Sequence, residues 1–152
     1  MGKKSILRII IIAILLIIIG MVIFTNFSHS NEIKVGDIYF EIPDNYVEGD
    51  LNKDGDITIT NGKNSVFLSD CENDAQTNVN DYLTGIQKRN LTLQTSSFNV
   101  NGINVDKISV GNDTNTTHYW FTINEKVYTI YSWDINNNLD NTVTELIEST
   151  HT

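Results

Sequence analysis

The longest pattern in the chain is a run with no polar position at all. Residues 9–24 are sixteen positions without a charged or polar side chain, set behind Lys3, Lys4 and Arg8. Extended to its flanks at Ile6 and Phe27, this segment spans about 33 Å as a helix, against a hydrocarbon core of roughly 30 Å. It predicts an N-terminal transmembrane helix within residues 1–30, with Arg8 at the edge, where its head can snorkel. The basic residues lie on the N-terminal side, and Glu32 and Asp37 follow on the other. The positive-inside tendency therefore puts the N-terminus in the cytoplasm and residues 31–152 outside, as a single-pass protein of the cell membrane. A cleaved signal peptide is the other reading, because Ser28 and Ser30 are small residues placed for cleavage after Ser30. The run is longer than the ~7–15 residues of a signal h-region, which favours the uncleaved anchor.

Past residue 30 the pattern changes to short alternations. Segments 32–35 and 38–42 read as strands around Gly36-Asp37, and Pro43 ends the second. Segment 56–60 alternates with period two, Asn61-Gly62 suggests a type I′ turn, and 64–69 returns. Val79, Tyr82, Leu83 and Ile86 fall at i, i+3, i+4 and i+7, one apolar helix face with Thr77 or Asn78 near its N-cap and an end near Asn90. Segments 91–100, 103–110, 117–123 and 127–133 then read as strands, with tight turns at Asn101-Gly102 and Asn124-Glu125. In the second of these, apolar residues switch from Ile103 and Val105 to Ile108 and Val110, so a bulge near Asp106-Lys107 is expected. Leu139, Val143, Leu146 and Ile147 form a second helical face. Turns this short exclude parallel crossovers between successive strands. The expected class is α+β: an N-terminal transmembrane helix, then one antiparallel sheet with two packed helices.

Composition narrows the function. Three of the ten Lys and Arg residues precede residue 30, leaving seven against nineteen acids, so residues 31–152 carry a formal charge of −12. That charge, with no basic cluster, excludes nucleic acid as a partner and argues against docking on anionic headgroups. Residues 31–152 suffice for one domain with its own core and are too few for two. Cys71 is alone, so no internal disulfide staples the fold; it is expected as a small core residue at a strand end. Four glycosylation sequons, at Asn26, Asn90, Asn112 and Asn115, are what an Asn-rich chain contains by chance.

The order of elements, together with Phe40-Glu41-Ile42-Pro43 and Tyr46 at the first hairpin, resembles the PsbP-like superfamily. It is also similar to small membrane-anchored envelope proteins of methanogenic archaea. The resemblance covers most of residues 31–150 and implies an α/β sandwich. It implies a protein that binds or assembles with other components, and it maps no site residue onto this chain.

The most specific motif is Asp50-Leu51-Asn52-Lys53-Asp54-Gly55-Asp56. Oxygen-bearing residues Asp50, Asn52 and Asp54 at alternate positions, with Gly55 and Asp56 after them, match the first half of a calcium loop, a candidate for weak Ca²⁺ binding. Position 12 should be a bidentate acid and is Asn61, and a strand follows where an exit helix belongs. A plain Asp-Gly hairpin turn is the competing account. No other cofactor is expected. His29, His118 and His151 show no metal spacing, and no nucleophile elbow or phosphate loop is present, which argues against an enzyme. A hydrolase site assembled only in three dimensions is the alternative. Tyr119, Trp120, Phe121, Tyr128, Tyr131 and Trp133 concentrate on two neighbouring strands. Most belong to packing, and Trp120 with His118 is the candidate binding surface for a cell-wall polymer or an envelope protein.

Overall fold

The computed structural model describes Ile14 and residues 31–89, 91–111, 116–133 and 138–152. The chain divides into two compact units, Met1–Ser30 and Asn31–Thr152. Apart from Ile14, the apolar run at 9–24 lies outside the described residues, as do the cleavage position at Ser30 and the sequons at Asn26, Asn90, Asn112 and Asn115. Among the described residues no helix is long and apolar enough to cross a membrane.

The second unit is α+β. Among the described residues its strands are β1 (Glu32–Val35), β2 (Ile38–Glu41), β3 (Val47–Glu48), β4 (Ile57–Thr60), β5 (Ser65–Cys71), β6 (Thr92–Val100), β7 (Ile103–Gly111), β8 (Thr116–Ile123) and β9 (Lys126–Ser132). The helices are α1 (Ala75–Lys88) and α2 (Leu139–Glu148). Seven strands form one sheet in the order β3-β4-β5-β9-β8-β7-β6, and β1 and β2 form a separate hairpin. Every pairing is antiparallel. β6 to β9 form an antiparallel meander, with tight turns at 101–102 and 124–125, and β9 then pairs with β5, which lies far earlier in sequence.

The period-two alternation of the strands divides the apolar residues between two cores. On one face Ile59, Val66, Leu68, Val105, Tyr119, Phe121, Tyr128 and Ile130 meet the hairpin, through Ile33, Val35, Ile38 and Phe40, and α2, through Leu139, Val143, Leu146 and Ile147. On the other face Ile108, Val110, Trp120 and Val127 meet α1 through Ile86, Val79, Tyr82 and Leu83. The result is three layers: α1, the sheet, then α2 with the hairpin.

β7 corrects one expectation. Its pairing with β6 and β8 runs without interruption through Asp106 and Lys107, so the strand has no bulge. Ile103 and Val105 pack toward α2 and the hairpin, whereas Ile108 and Val110 pack toward α1. The switch of apolar parity reflects a change of covering layer along one regular strand.

The turns separate in a similar way. Asn101 and Gly102 (φ +50° and +90°) and Asn124 and Glu125 (φ +50° and +66°) take the double left-handed geometry of type I′. Between β4 and β5, however, Thr60 pairs with Ser65, which leaves a four-residue loop at 61–64. There Asn61 Oδ1 accepts the N–H groups of Lys63 (3.1 Å) and Asn64 (2.9 Å). The side chain of Asn61 makes the turn where a I′ backbone was expected. The N-cap of α1 is Asp74, in the turn that holds Thr77. Asp74 accepts from Thr77 N (3.0 Å) and from the Thr77 hydroxyl (2.7 Å), so Thr77 is bonded to the cap and is not itself the cap.

Candidate functional site

The sheet face that carries α1 is wider than the helix, and aromatic rings cover the remainder. Phe67 on β5, Tyr131 on β9 and His118 and Trp120 on β8 point to this side because the register sets Phe67 against Tyr131 and His118 against Tyr131. Their rings form a continuous row. Phe67 to Tyr131 is 5.0 Å, Tyr131 to His118 is 4.8 Å at 8° between planes, and His118 to Trp120 is 5.2 Å at 16°. Tyr82 of α1 closes one end over His118 (4.3 Å) and Trp120 (5.3 Å), and Trp133 lies against Phe67 (4.7 Å) at the other.

Trp120 is 4 % exposed, held under α1, while Trp133 is 50 % exposed. The ring that a ligand can reach in this row is therefore Trp133, not Trp120. A cleft of about 360 Å³ opens beside the row between α1 and the sheet, lined by Tyr82, Gly85, Arg89, Thr116, His118 and Trp133 among others. Its size falls in the roughly 300–1,000 Å³ range of ligand pockets. Tyr82, Gly85, Ile86 and Arg89 reach it together because i, i+3, i+4 and i+7 share a helix face. Gly85 leaves the wall open: a Cβ there would meet nothing within 4 Å.

The polar groups of the cleft are few and distinct. The ring nitrogens of His118 have no hydrogen-bond partner among the described residues, and burial pushes the imidazole down to about 4, so it is neutral at pH 7. Burial raises the Tyr82 hydroxyl to about 12 despite the nearby positive charge of Arg89, so it stays protonated. The Arg89 guanidinium is exposed and makes no ion pair or side-chain hydrogen bond among the described residues. Asp81 stands on the same wall. Sequence reasoning found His118 but read Tyr82 as helix packing and passed over Gly85 and Arg89. The helix-face spacing from Tyr82 to Arg89 was the available signal.

Beneath Trp120, its cross-strand neighbour Thr129 has a buried hydroxyl with no partner among the described residues. An unsatisfied buried hydroxyl is unfavourable, and valine has nearly the same shape. Thr129→Val is expected to raise stability by about 1 kcal/mol in urea denaturation.

The Asp50-to-Asp56 segment folds onto its own atoms. Asn52 Oδ1 accepts the backbone N–H of Asp54 (2.8 Å) and of Asp56 (2.9 Å). Asn52 Nδ2 donates to Asp56 Oδ2 (2.9 Å) and to the Tyr131 hydroxyl (2.9 Å), and that hydroxyl donates to Asp56 Oδ2 (2.5 Å). Burial pulls the Asp56 carboxyl up, yet the hydrogen bonds from Tyr131, Ser69 and Asn52 outweigh it and hold the group below the usual carboxylate range. The carboxylates of Asp50 and Asp54 are exposed and outside this network. No group of three or more His, Cys, Asp or Glu residues is placed to hold a metal among the described residues. A calcium ion would have to take Asn52 and Asp56 away from these bonds. Asn52→Ala removes two acceptor and two donor contacts and is expected to cost about 1–3 kcal/mol in urea denaturation, with Asp50→Ala near neutral.

A second cleft, of about 710 Å³, lies at the start of α1 and is lined by Asp70, Cys71, Glu72, Asp74, Glu125 and Lys126 among others. Lys126 is engaged by Asp70 (2.8 Å) and Asp37 (3.4 Å). Burial first, then the charges of Asp70 and Asp56, push the Cys71 thiol up to about 11, so it is not a nucleophile at neutral pH. His151, at the opposite layer, stacks on Tyr39 (5.6 Å) and pairs with its backbone as an added bridge.

No known protein family matches the sequence, and no curated protein matches it. In structure the chain is similar to cyanobacterial PsbP (CyanoP) from Synechocystis sp. PCC 6803, with a TM-score of 0.49 and 11 % identity, covering 82 % of this chain and 94 % of that one. The α+β class stated above rests on the strand order and the helices themselves.

Proposed function

We propose that this is a non-enzymatic, single-pass envelope protein, of PsbP-like fold, whose outer domain binds a neutral saccharide chain in the cleft beside Trp133. The observation that carries the reading is the aromatic row that ends in a half-exposed tryptophan beside a cleft with Arg89, which has no ion pair among the described residues. Aromatic faces suit the C–H faces of sugar rings, and Arg89, Asp81 and Thr116 offer donors and acceptors to hydroxyls. The cleft supplies one group of each sign, and the −12 charge of residues 31–152 repels polyanions, so an uncharged polymer fits better than an acidic one. The apolar run at 9–24 motivates the anchor.

Titration of the detergent-solubilised full chain with cellohexaose and chitohexaose, read by tryptophan emission, tests the ligand. One of the two is expected to shift the signal. Gly85→Leu, which fills open space, and Trp133→Ala are each expected to weaken binding by about tenfold, equivalent to ~1.4 kcal/mol. No response to either sugar, or a response that Gly85→Leu leaves unchanged, overturns the reading. N-terminal sequencing tests the anchor separately: a mature start at Asn31 removes it.

A further inference from the structure

The two edges of the seven-stranded sheet are built differently. At β3 the edge is two residues long, ends in Glu48 and runs on toward Asp50. Short length and acidic charge are the usual means of keeping an edge from pairing with another chain. At the opposite edge β6 is nine residues long, Thr-Leu-Gln-Thr-Ser-Ser-Phe-Asn-Val, and pairs with β7 in unbroken register on its inner side. It has no charge, no proline and no bulge, and Thr92, Gln94, Thr95, Ser96, Ser97 and Asn99 are exposed. Among the described residues, the longer edge carries none of the devices that a strand itself can supply, namely shortness, charge, proline or a bulge.

We infer that β6 is the pairing edge of a two-fold dimer, in which two copies of the chain join antiparallel, β6 to β6, into one fourteen-stranded sheet. The occupant is a second copy because of charge. A domain of charge −12 repels its own copy wherever acids face each other, and β6 is a neutral strip on which two copies can approach. A foreign basic segment would be drawn to the acids elsewhere, and an acidic one would gain nothing here. One strand meeting itself antiparallel generates a closed two-fold, so assembly stops at two. Centred on Ser96, the pairing sets Thr95 of one copy opposite Ser97 of the other, and small hydroxyl side chains of this kind pair well across strands. Edge pairing alone is at the small end of stable interfaces, so the dimer is favoured where copies share one membrane. That condition rests on the proposed anchor.

Disulfide trapping in membranes from cells expressing the full chain tests the inference. Cys71→Ser removes the native thiol. Thr95→Cys, Ser96→Cys and Ser97→Cys are then introduced singly, with Lys63→Cys in the β4–β5 loop as the exposed control. Under mild oxidation at least one β6 position is expected to give a band of twice the chain mass, about tenfold stronger than the control. Adding Thr95→Lys and Ser97→Lys to Ser96→Cys sets like charges opposite each other and is expected to abolish it. β6 bands no stronger than the control, bands of another mass, or a band that survives the lysines each overturn the dimer. Recovery of the chain in the membrane fraction is scored independently, so failure of the anchor and failure of the dimer are distinguishable.

Discussion

Phe40→Ala is expected to destabilise the domain at residues 31–152 by about 3–5 kcal/mol, a large share of the ~5–15 kcal/mol that holds a domain of this size. Phe40 is 1 % exposed and lies edge-on against Phe121 (6.5 Å) and Tyr128 (6.3 Å), so its ring is the contact that fastens β2 to the middle of the sheet. Its removal leaves a cavity between two layers that are otherwise joined by side chains alone, since the hairpin has no strand pairing with the sheet. Tyr39, one position earlier and on the opposite face of β2, stacks on His151, has the Lys34 ammonium over its ring (5.3 Å) and is partly exposed. Tyr39→Ala should therefore cost clearly less. Urea denaturation of both variants checks this: the midpoint for Phe40→Ala falls much further, with the slope unchanged for either. Equal losses would mean that the hairpin is held by its backbone and not by this ring.

The second large effect is on pH dependence, through His118. Its ring is enclosed by Tyr82, Trp120 and Tyr131, and burial lowers its folded-state value from 6.5 to about 4. Between those two values the unfolded chain binds a proton that the folded chain does not, so acid favours unfolding. The stabilisation is present in full above pH ~6.5 and is lost as pH falls toward ~4, up to about 3 kcal/mol in all. Asp56 and Asp140 have folded values below the usual 3.8, so what they contribute is lost only at still lower pH and does not enter this window. Stability should therefore drop clearly between pH 7 and pH 4.5 in the native chain. His118→Phe keeps a ring in the row, removes the proton site and should flatten most of that difference. An unchanged slope in His118→Phe would show that the imidazole titrates normally in the fold.

Much of this architecture was readable from residue order because the local signals agreed with one another. Asn101-Gly102 and Asn124-Glu125 turned where expected, and Val143, Leu146 and Ile147 are buried on the expected helical face. What was not readable came from contacts across the chain. The parity switch in β7 looks like a bulge until one knows that different layers cover its two halves. β3, two residues of exposed Val47 and Glu48, has no pattern of its own and exists because β4 offers an edge. In the candidate site, His118 was visible as an isolated histidine in an apolar strand. That Trp120 lies under α1 and Trp133 does not is decided by where α1 crosses the sheet, and neither tryptophan's local sequence says so. In the Asp50 loop the ligand spacing was real, but the use of Asn52 and Asp56 to hold Tyr131 depends on β9, which lies 75 residues further along than Asp56.

That the middle strand of the sheet is also its last has a consequence for synthesis. β5 emerges from the ribosome early and can pair at once with β4, but its other edge finds a partner only when β9 has been made, and α2 follows later still. Until then the chain holds local hairpins and a helix, each marginal alone. Its nascent form therefore stays pliable through most of its length. A polypeptide that must be threaded through a translocation pore before it folds, as the proposed topology requires, benefits from such delay, because no compact body forms on the wrong side of the membrane to block its passage.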